Sequence, residues 1–190
     1  MQRWDIINAL INKNNYKTYL EIGTQHGNCF TQVKADYKEC VDPEKVFAGL
    51  THVMTSDQYF SQNTKKFDIV FVDGLHTELQ TRIDILNAFN ALNPGGTIVA
   101  HDCLPSTEEL TAPWHCGTSY MAPIWFRINR PDVVFNVVDT DCGCAVFRKG
   151  TTITYTESNY EQAREYGYYE RNKKKLMNVI TVEEFKKLYA

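Results

Sequence analysis

The chain lacks any long apolar run, any strong charge of one sign, and any cysteine spacing of a metal knuckle or redox dithiol. Each absence removes a class of function. Without about 18 consecutive apolar residues there is no membrane span. The start Met1-Gln2-Arg3-Trp4-Asp5 has no apolar stretch long enough for a signal peptide, so the expected compartment is the cytoplasm. A net charge of -3 offers nucleic acid no basic surface, and the run Lys173-Lys174-Lys175 stands almost alone as a solvated helix face. Six cysteines are present, but Cys142-Gly143-Cys144 fits neither a zinc nor a thioredoxin pattern, and in a reducing compartment they are read as packing residues. The tight Gly-Xaa-Gly-Xaa-Xaa-Gly loop of dinucleotide sites is missing too, which counts against a nicotinamide dehydrogenase. No internal repeat or linker divides the chain. One domain is expected over 1–190, with a leading helix in 1–18, a core in 19–149 and a helical extension in 150–190.

What is present is an ordinary globular composition, 43% hydrophobic with 13% aromatic residues, in 190 residues. Trp4, Ile7, Leu10 and Ile11 recur at helical spacing until the stretch Asn12 to Asn15. Short apolar runs follow at Tyr19–Ile22, Cys40–Val41, His52–Met54 and Phe67–Val72, each closing in polar residues. Leu79, Ile83, Leu86, Phe89 and Leu92 then mark a helix, and Asn93-Pro94-Gly95-Gly96 predicts a turn before a fifth strand, Thr97–Ala100. A helix is expected over Ser119–Asn129, with Pro123 near its start. Val133–Val138 and Cys144–Phe147 flank a hairpin loop, and two further helices are expected, the second capped by Thr181 with Glu184. Alternating strands and helices imply a doubly wound, mostly parallel α/β sheet of seven strands with one antiparallel strand at its edge, Rossmann-like, plus C-terminal helices.

In such sheets ligands sit beyond the carboxyl ends of the strands. Glu21-Ile22-Gly23-Thr24-Gln25-His26-Gly27-Asn28 places two glycines four apart after the first strand, where backbone can approach a ligand closely. Asp42 closes the second strand, and a carboxylate there can accept both hydrogen bonds of a ribose diol. Ser56-Asp57 follows the third strand and Asp73-Gly74 the fourth.

These residues resemble class I S-adenosylmethionine-dependent methyltransferases. The likeness is nearest to the group described as methyltransferase domain 24, through Phe71-Val72-Asp73-Gly74-Leu75-His76, Leu92-Asn93-Pro94-Gly95-Gly96 and His101-Asp102-Cys103-Leu104-Pro105. It covers roughly Tyr19 to Lys149. The resemblance implies S-adenosylmethionine as cofactor. Glu21, Gly23 and Gly27 would surround its methionine part, Asp42 would hold the ribose and Ser56 and Asp57 the adenine; Thr24, Gln25 and Asn28 are further cofactor-binding candidates, and Asp73 and Gly74 could line the amino-acid end.

Methyl transfer from a sulfonium is a direct displacement, so the protein must align the nucleophile and take its proton. His76 is favoured as the base, since imidazole titrates near neutrality. His101 and Asp102 are catalytic candidates too, with His101 equally able to orient Asp102 or His76. Asp73 and Asp102 also occupy positions where related O-methyltransferases acting on catechols and antibiotic sugars hold magnesium, although His101 and Cys103 depart from both patterns. Trp114, His115, Tyr120 and Trp125 are candidates for an acceptor pocket, with Trp125 also suited to the core. The expected reaction is O-methylation of a small molecule or glycan unit. A non-catalytic S-adenosylmethionine-binding or scaffold protein, and a nucleotide-dependent oxidoreductase on the same fold, stay open as rivals; the sequence does not speak to oligomeric state.

Overall fold

The computed structural model describes residues 1–155 and 160–189. Its strands run in the order β3-β2-β1-β4-β5-β7-β6-β8: β1 (Thr18–Ile22), β2 (Tyr37–Asp42), β3 (His52–Val53), β4 (Phe67–Val72), β5 (Leu92–Ala100), β6 (Val133–Val138), β7 (Cys144–Lys149) and β8 (Val179–Ile180). β1 to β5 are parallel, and β7 is antiparallel to both β5 and β6. Strand order reverses between β1 and β4, so the crevice of this sheet opens at their carboxyl ends.

Helices α1 (Arg3–Asn14), α2 (Asn28–Gln32) and α7 (Val182–Tyr189) cover one face, while α3 (Ser56–Gln62), α4 (Glu78–Ala91), α5 (Met121–Asn129) and α6 (Tyr166–Met177) cover the other. The strands divide by their period of two. Val70 and Val72 of β4 join Ile85, Ala88 and Phe126 on the second face, whereas Ile69 and Phe71 join Ile6, Leu10 and Phe185 on the first. A continuously apolar strand is what a sheet covered on both faces requires.

Three expectations are corrected in detail. The sheet has eight strands where seven were expected, because Val179 and Ile180 pair with Val137 and Val138. A two-residue strand is too short to show alternation. The segment 150–190 is therefore not only helical, since β8 extends the sheet and α6 and α7 fall on opposite faces. Finally, β5 begins at Leu92 directly after α4, and Asn93 to Gly96 form a bulge inside the strand, with register jumping from Phe67–Leu92 to Ile69–Thr97. Gly95 takes a φ of 80° there and its carbonyl accepts from the Tyr16 hydroxyl at 2.6 Å. Pro123 falls third in α5, within the first turn, where an amide hydrogen has no helical partner to lose. The box around α7 is as expected: the Thr181 amide donates to Glu184 at 2.8 Å and the Glu184 amide donates back to Thr181 at 3.2 Å. Among the described residues, no helix is long and apolar enough to cross a membrane.

Candidate active site

The loop after β1 turns on left-handed backbone. Gly23, Gln25 and Gly27 have φ of 83°, 46° and 76°. A Cβ on Gly23 would sit 2.0 Å from the Asp73 carbonyl oxygen, so glycine is required here by the neighbouring strand end. The reason differs from the one suggested by sequence, where the glycine keeps space for a ligand. A Cβ on Gly27 would lie 2.6 Å from the Phe47 ring, whereas one on Gly74 would make only ordinary contacts at 3.5 Å with Asp84 and Ile22.

The Asp42 carboxylate accepts the Gln25 amide hydrogen at 2.8 Å on one oxygen and that of Glu44 at 2.8 Å on the other. This ties the glycine loop to the end of β2, and each oxygen keeps a free lone-pair direction for a ligand hydroxyl. Asn28 is exposed at the start of α2, while Thr24 is buried. Glu21 is buried and accepts from the Tyr19 hydroxyl. Burial, reinforced by Asp73, pushes its carboxyl up to about 8.

Ser56 and Asp57 open α3, whose cap is the Thr55 side chain. They meet two α4 residues not anticipated from sequence. Gln80 Nε2 lies 3.2 Å from Ser56 Oγ, 3.1 Å from Asp57 Oδ1 and 3.0 Å from Asp84 Oδ1, and shares its two hydrogens among the three. Asp84 is buried, which raises its carboxyl to about 6. Helical spacing alone does mark Gln80 and Asp84 as one face, but nothing in it says which face meets α3.

The ends of β4 and β5 bring Asp73, His76, His101 and Asp102 together. His76 Nε2 lies 3.4 Å from Asp73 Oδ1 and 3.2 Å from Asp102 Oδ2; His101 Nδ1 lies 3.3 Å from Asp73 Oδ1 and 3.2 Å from Asp102 Oδ1. His76 Nδ1 donates to the carbonyl of His115. Asp102 itself adopts a φ of 56°, a conformation uncommon for a residue with a side chain and concentrated at functional sites.

Exposure separates the two histidines. The His76 side chain is 29% exposed and the His101 side chain 2%. The Asp73 hydrogen bond leads in raising the His76 imidazole above its ordinary value. Burial works against the charge on His101, yet Asp73, Asp102 and Asp141 outweigh it and hold that imidazole well above its ordinary value. Burial likewise opposes ionisation of Asp73, and His101, His76 and Arg3 reverse this.

Two members of the cluster were missed in the sequence, Arg3 and Asp141. Arg3 donates from its backbone amide and Nε to Asp141 Oδ2 at 2.8 and 2.9 Å, and from one terminal nitrogen to Asp73 Oδ2 at 2.9 Å. His101 Nε2 meets the Asp141 carbonyl at 2.6 Å. The β6–β7 loop thus buttresses the site through a residue 138 positions from Arg3, a pairing no local pattern encodes.

The proposed acceptor aromatics divide. Trp114 is 80% exposed, but Tyr120 is buried with its ring 4.6 Å from that of Tyr169, and Trp125 packs on the core under the Arg82 guanidinium at 4.9 Å. Tyr120 and Trp125 are therefore packing residues of α5 and its approach. Cys103 is also buried in the core, its thiol directed at the carbonyls of Ala100 and His101.

The donor set at Asp73 and Asp102 does not fit magnesium. Their oxygens and a His76 ring nitrogen lie within 4.8 Å of one another, but magnesium demands hard oxygen ligands in octahedral array. Here Arg3 already engages Asp73 and both imidazoles face the two carboxylates. S-adenosylmethionine fits better, with a glycine loop and a partly free carboxylate at Asp42 side by side at the ends of β1 and β2.

The resemblance read from the sequence holds in comparison with known proteins. Residues 49–103 match the family described as "Methyltransferase domain", the domain 24 group. The chain is similar to a Staphylococcus aureus structure assigned as a caffeoyl-CoA O-methyltransferase, with 19% identity, TM-score 0.61, and coverage of 77% of this chain and 82% of that one. It is similar to the O-methyltransferase TomG of Streptomyces achromogenes, involved in tomaymycin synthesis and solved with SAM (18% identity, TM-score 0.60, 77% and 79% covered). A Bacillus cereus O-methyltransferase in complex with SAH gives 12% identity and TM-score 0.57 over 78% and 80%. No curated protein matches the sequence. The fold is that of class I methyltransferases.

Proposed function

We propose that this chain is an S-adenosylmethionine-dependent methyltransferase that transfers the methyl group to a hydroxyl of a small molecule or glycan unit, with His76 as general base. The observation that carries the reading is the adjacency of two sites on one crevice. The β1 loop is bonded to Asp42 at the cofactor side, and Asp73, whose backbone packs on Gly23, belongs to the His–Asp cluster at the acceptor side. The matched O-methyltransferases, two of them holding SAM or SAH, support the same assignment.

S-adenosylmethionine supplies an electrophilic methyl group when bound. The residues of the chain do the rest. Asp42 holds the ribose and Ser56 and Asp57 the adenine, with Gln80 and Asp84 fixing their side chains. Donation from Nδ1 to His115 orients the His76 ring, so that Nε2 receives the hydroxyl proton between Asp73 and Asp102, which stabilise the imidazolium that forms. His101, enclosed by three aspartates, orients Asp73 and Asp102 without meeting the acceptor. The chain works as one domain, and its six free thiols suit a reducing cytoplasm.

Transfer of a labelled methyl group from S-adenosylmethionine to a panel of hydroxylated aromatics and sugars tests this. The expected result is a methyl ether formed by the parent chain and not by His76→Ala. Transfer to amines alone, or binding without transfer to any acceptor, would contradict it. Because Arg3 and both imidazoles already occupy Asp73 and Asp102, turnover is expected to persist in chelator; loss of turnover that magnesium restores would contradict this.

A further inference from the structure

Beside the acceptor side of the cluster lies a second set of donors, of which only Asp102 has a part in methyl transfer. Cys116 Sγ, Cys142 Sγ and a carboxylate oxygen of Asp102 all fall within 4.8 Å of one another. Cys116 is buried and its thiol donates to Asp102 Oδ1 at 3.4 Å; Cys142 is exposed at the rim. We infer that Asp102, Cys116 and Cys142 form a binding site for a thiophilic divalent cation, with zinc as its natural probe.

The spacing is that of a coordination polyhedron before closure. With zinc–sulfur bonds of about 2.3 Å and zinc–oxygen bonds of about 2.0 Å at tetrahedral angles, sulfur and oxygen ligands stand about 3.5 Å apart and two sulfurs about 3.8 Å apart. The 3.4 Å between Cys116 Sγ and Asp102 Oδ1 already matches the first of these. Two thiolates and one carboxylate are a soft-to-borderline set, which suits zinc and not magnesium.

The loops bearing the donors are held in place. The Thr118 amide donates to the His76 carbonyl at 3.0 Å, and a Cβ on Gly117 would meet that carbonyl at 2.0 Å, which fixes the turn holding Cys116. Across the site, the amides of Leu104 and Cys103 donate to the carbonyls of Cys142 and Gly143 at 2.7 and 3.1 Å. Asp141, Cys142 and Gly143 all have positive φ, a conformation that turns this loop towards the end of β5. Coordination would displace the proton that the Cys116 thiol now shares with Asp102. The exposed Cys142 gives the ion a way in, and three protein ligands leave a fourth position open. Because Asp102 also faces His76, an ion held here would draw that carboxylate from the base and inhibit turnover.

The test uses the full chain under a phosphine reductant, titrated with zinc and, separately, with cobalt(II). One zinc per chain should bind, the exposed Cys142 thiol should become protected from a thiol reagent, and cobalt should show thiolate charge-transfer absorption. Cys142→Ser, at an exposed position, should fold with unchanged melting temperature and weaken zinc by more than about 10–100-fold, the loss seen when even an outer partner of a metal ligand is removed. It should also free turnover from zinc inhibition. Zinc that protects no thiol, cobalt without thiolate absorption, or equal affinity in Cys142→Ser would overturn the assignment. The absorption and protection are read without turnover, so they stand or fall separately from the methyltransferase reading.

Discussion

At the scale of single residues, the two histidines offer the sharpest contrast. They share the same two carboxylates, but only His76 reaches solvent, where an acceptor can meet it. Removal of a positioned base typically costs about 10²–10⁴ in rate. His76→Ala should lower kcat by that range with the Kd for S-adenosylmethionine nearly unchanged, as measured by steady-state kinetics and calorimetry. Equal turnover in His76→Ala and the parent would remove it from the reaction. Glu21 makes a different point. Its folded-state value of about 8 lies above the usual carboxylate value of about 4.3, so its contribution to stability is full below pH of about 4.3 and is lost as pH rises towards 8. Glu21→Gln, an uncharged mimic, should therefore lose less stability than the parent between about pH 5 and 8 in denaturant titrations. Parallel curves would show that the carboxyl is not held neutral.

At the scale of elements, α1 is more than a cover for the sheet, since its first residue reaches the catalytic cluster. Arg3→Met keeps the apolar stem but leaves Asp73 and Asp141 without their guanidinium partner. Leaving buried acceptors unsatisfied costs about 1–3 kcal/mol. For a chain of this size that corresponds to a loss of roughly 2–12 °C in Tm. Turnover should fall along with Tm, because Asp73 loses one of the groups that fix it; an unchanged Tm would show that the pairing contributes nothing. The β1 loop behaves in another way. A side chain at Gly23 would strike the backbone of Asp73 at 2.0 Å from a left-handed conformation. Gly23→Ala should thus cost at least about 2 kcal/mol of folding stability in urea titrations, before any ligand is added. A fully stable variant that merely fails to bind would restore the simpler view of that glycine as ligand space.

At the scale of the whole molecule, what could be read in advance was what repeats or stands at a strand end. The apolar runs gave seven strands because each closes in polar residues at the place the alternation of strand and helix requires, and those residues include Asp42, Asp73 and Asp102 at the carboxyl ends of the sheet. Missing were the elements without period and the contacts without proximity. β8 is two residues long, and Arg3 meets Asp141 across almost the whole chain. Tyr120 was a pocket candidate that proves to be core, because aromatics serve a pocket and a core equally well and its ring packs on Tyr169 of α6, whereas Trp125 lies against the core as its alternative reading had it.

The account rests on the crevice at the ends of β1, β2 and β4 being a site for S-adenosylmethionine, and calorimetry with that molecule tests it most directly. The parent chain should bind one equivalent and show no binding of NAD. Asp42→Ala should bind about 1.5–3 kcal/mol more weakly with an unchanged melting curve, the scale of a charge-assisted hydrogen bond. Failure of the parent to bind S-adenosylmethionine, or an Asp42→Ala variant of unaltered affinity, would contradict it.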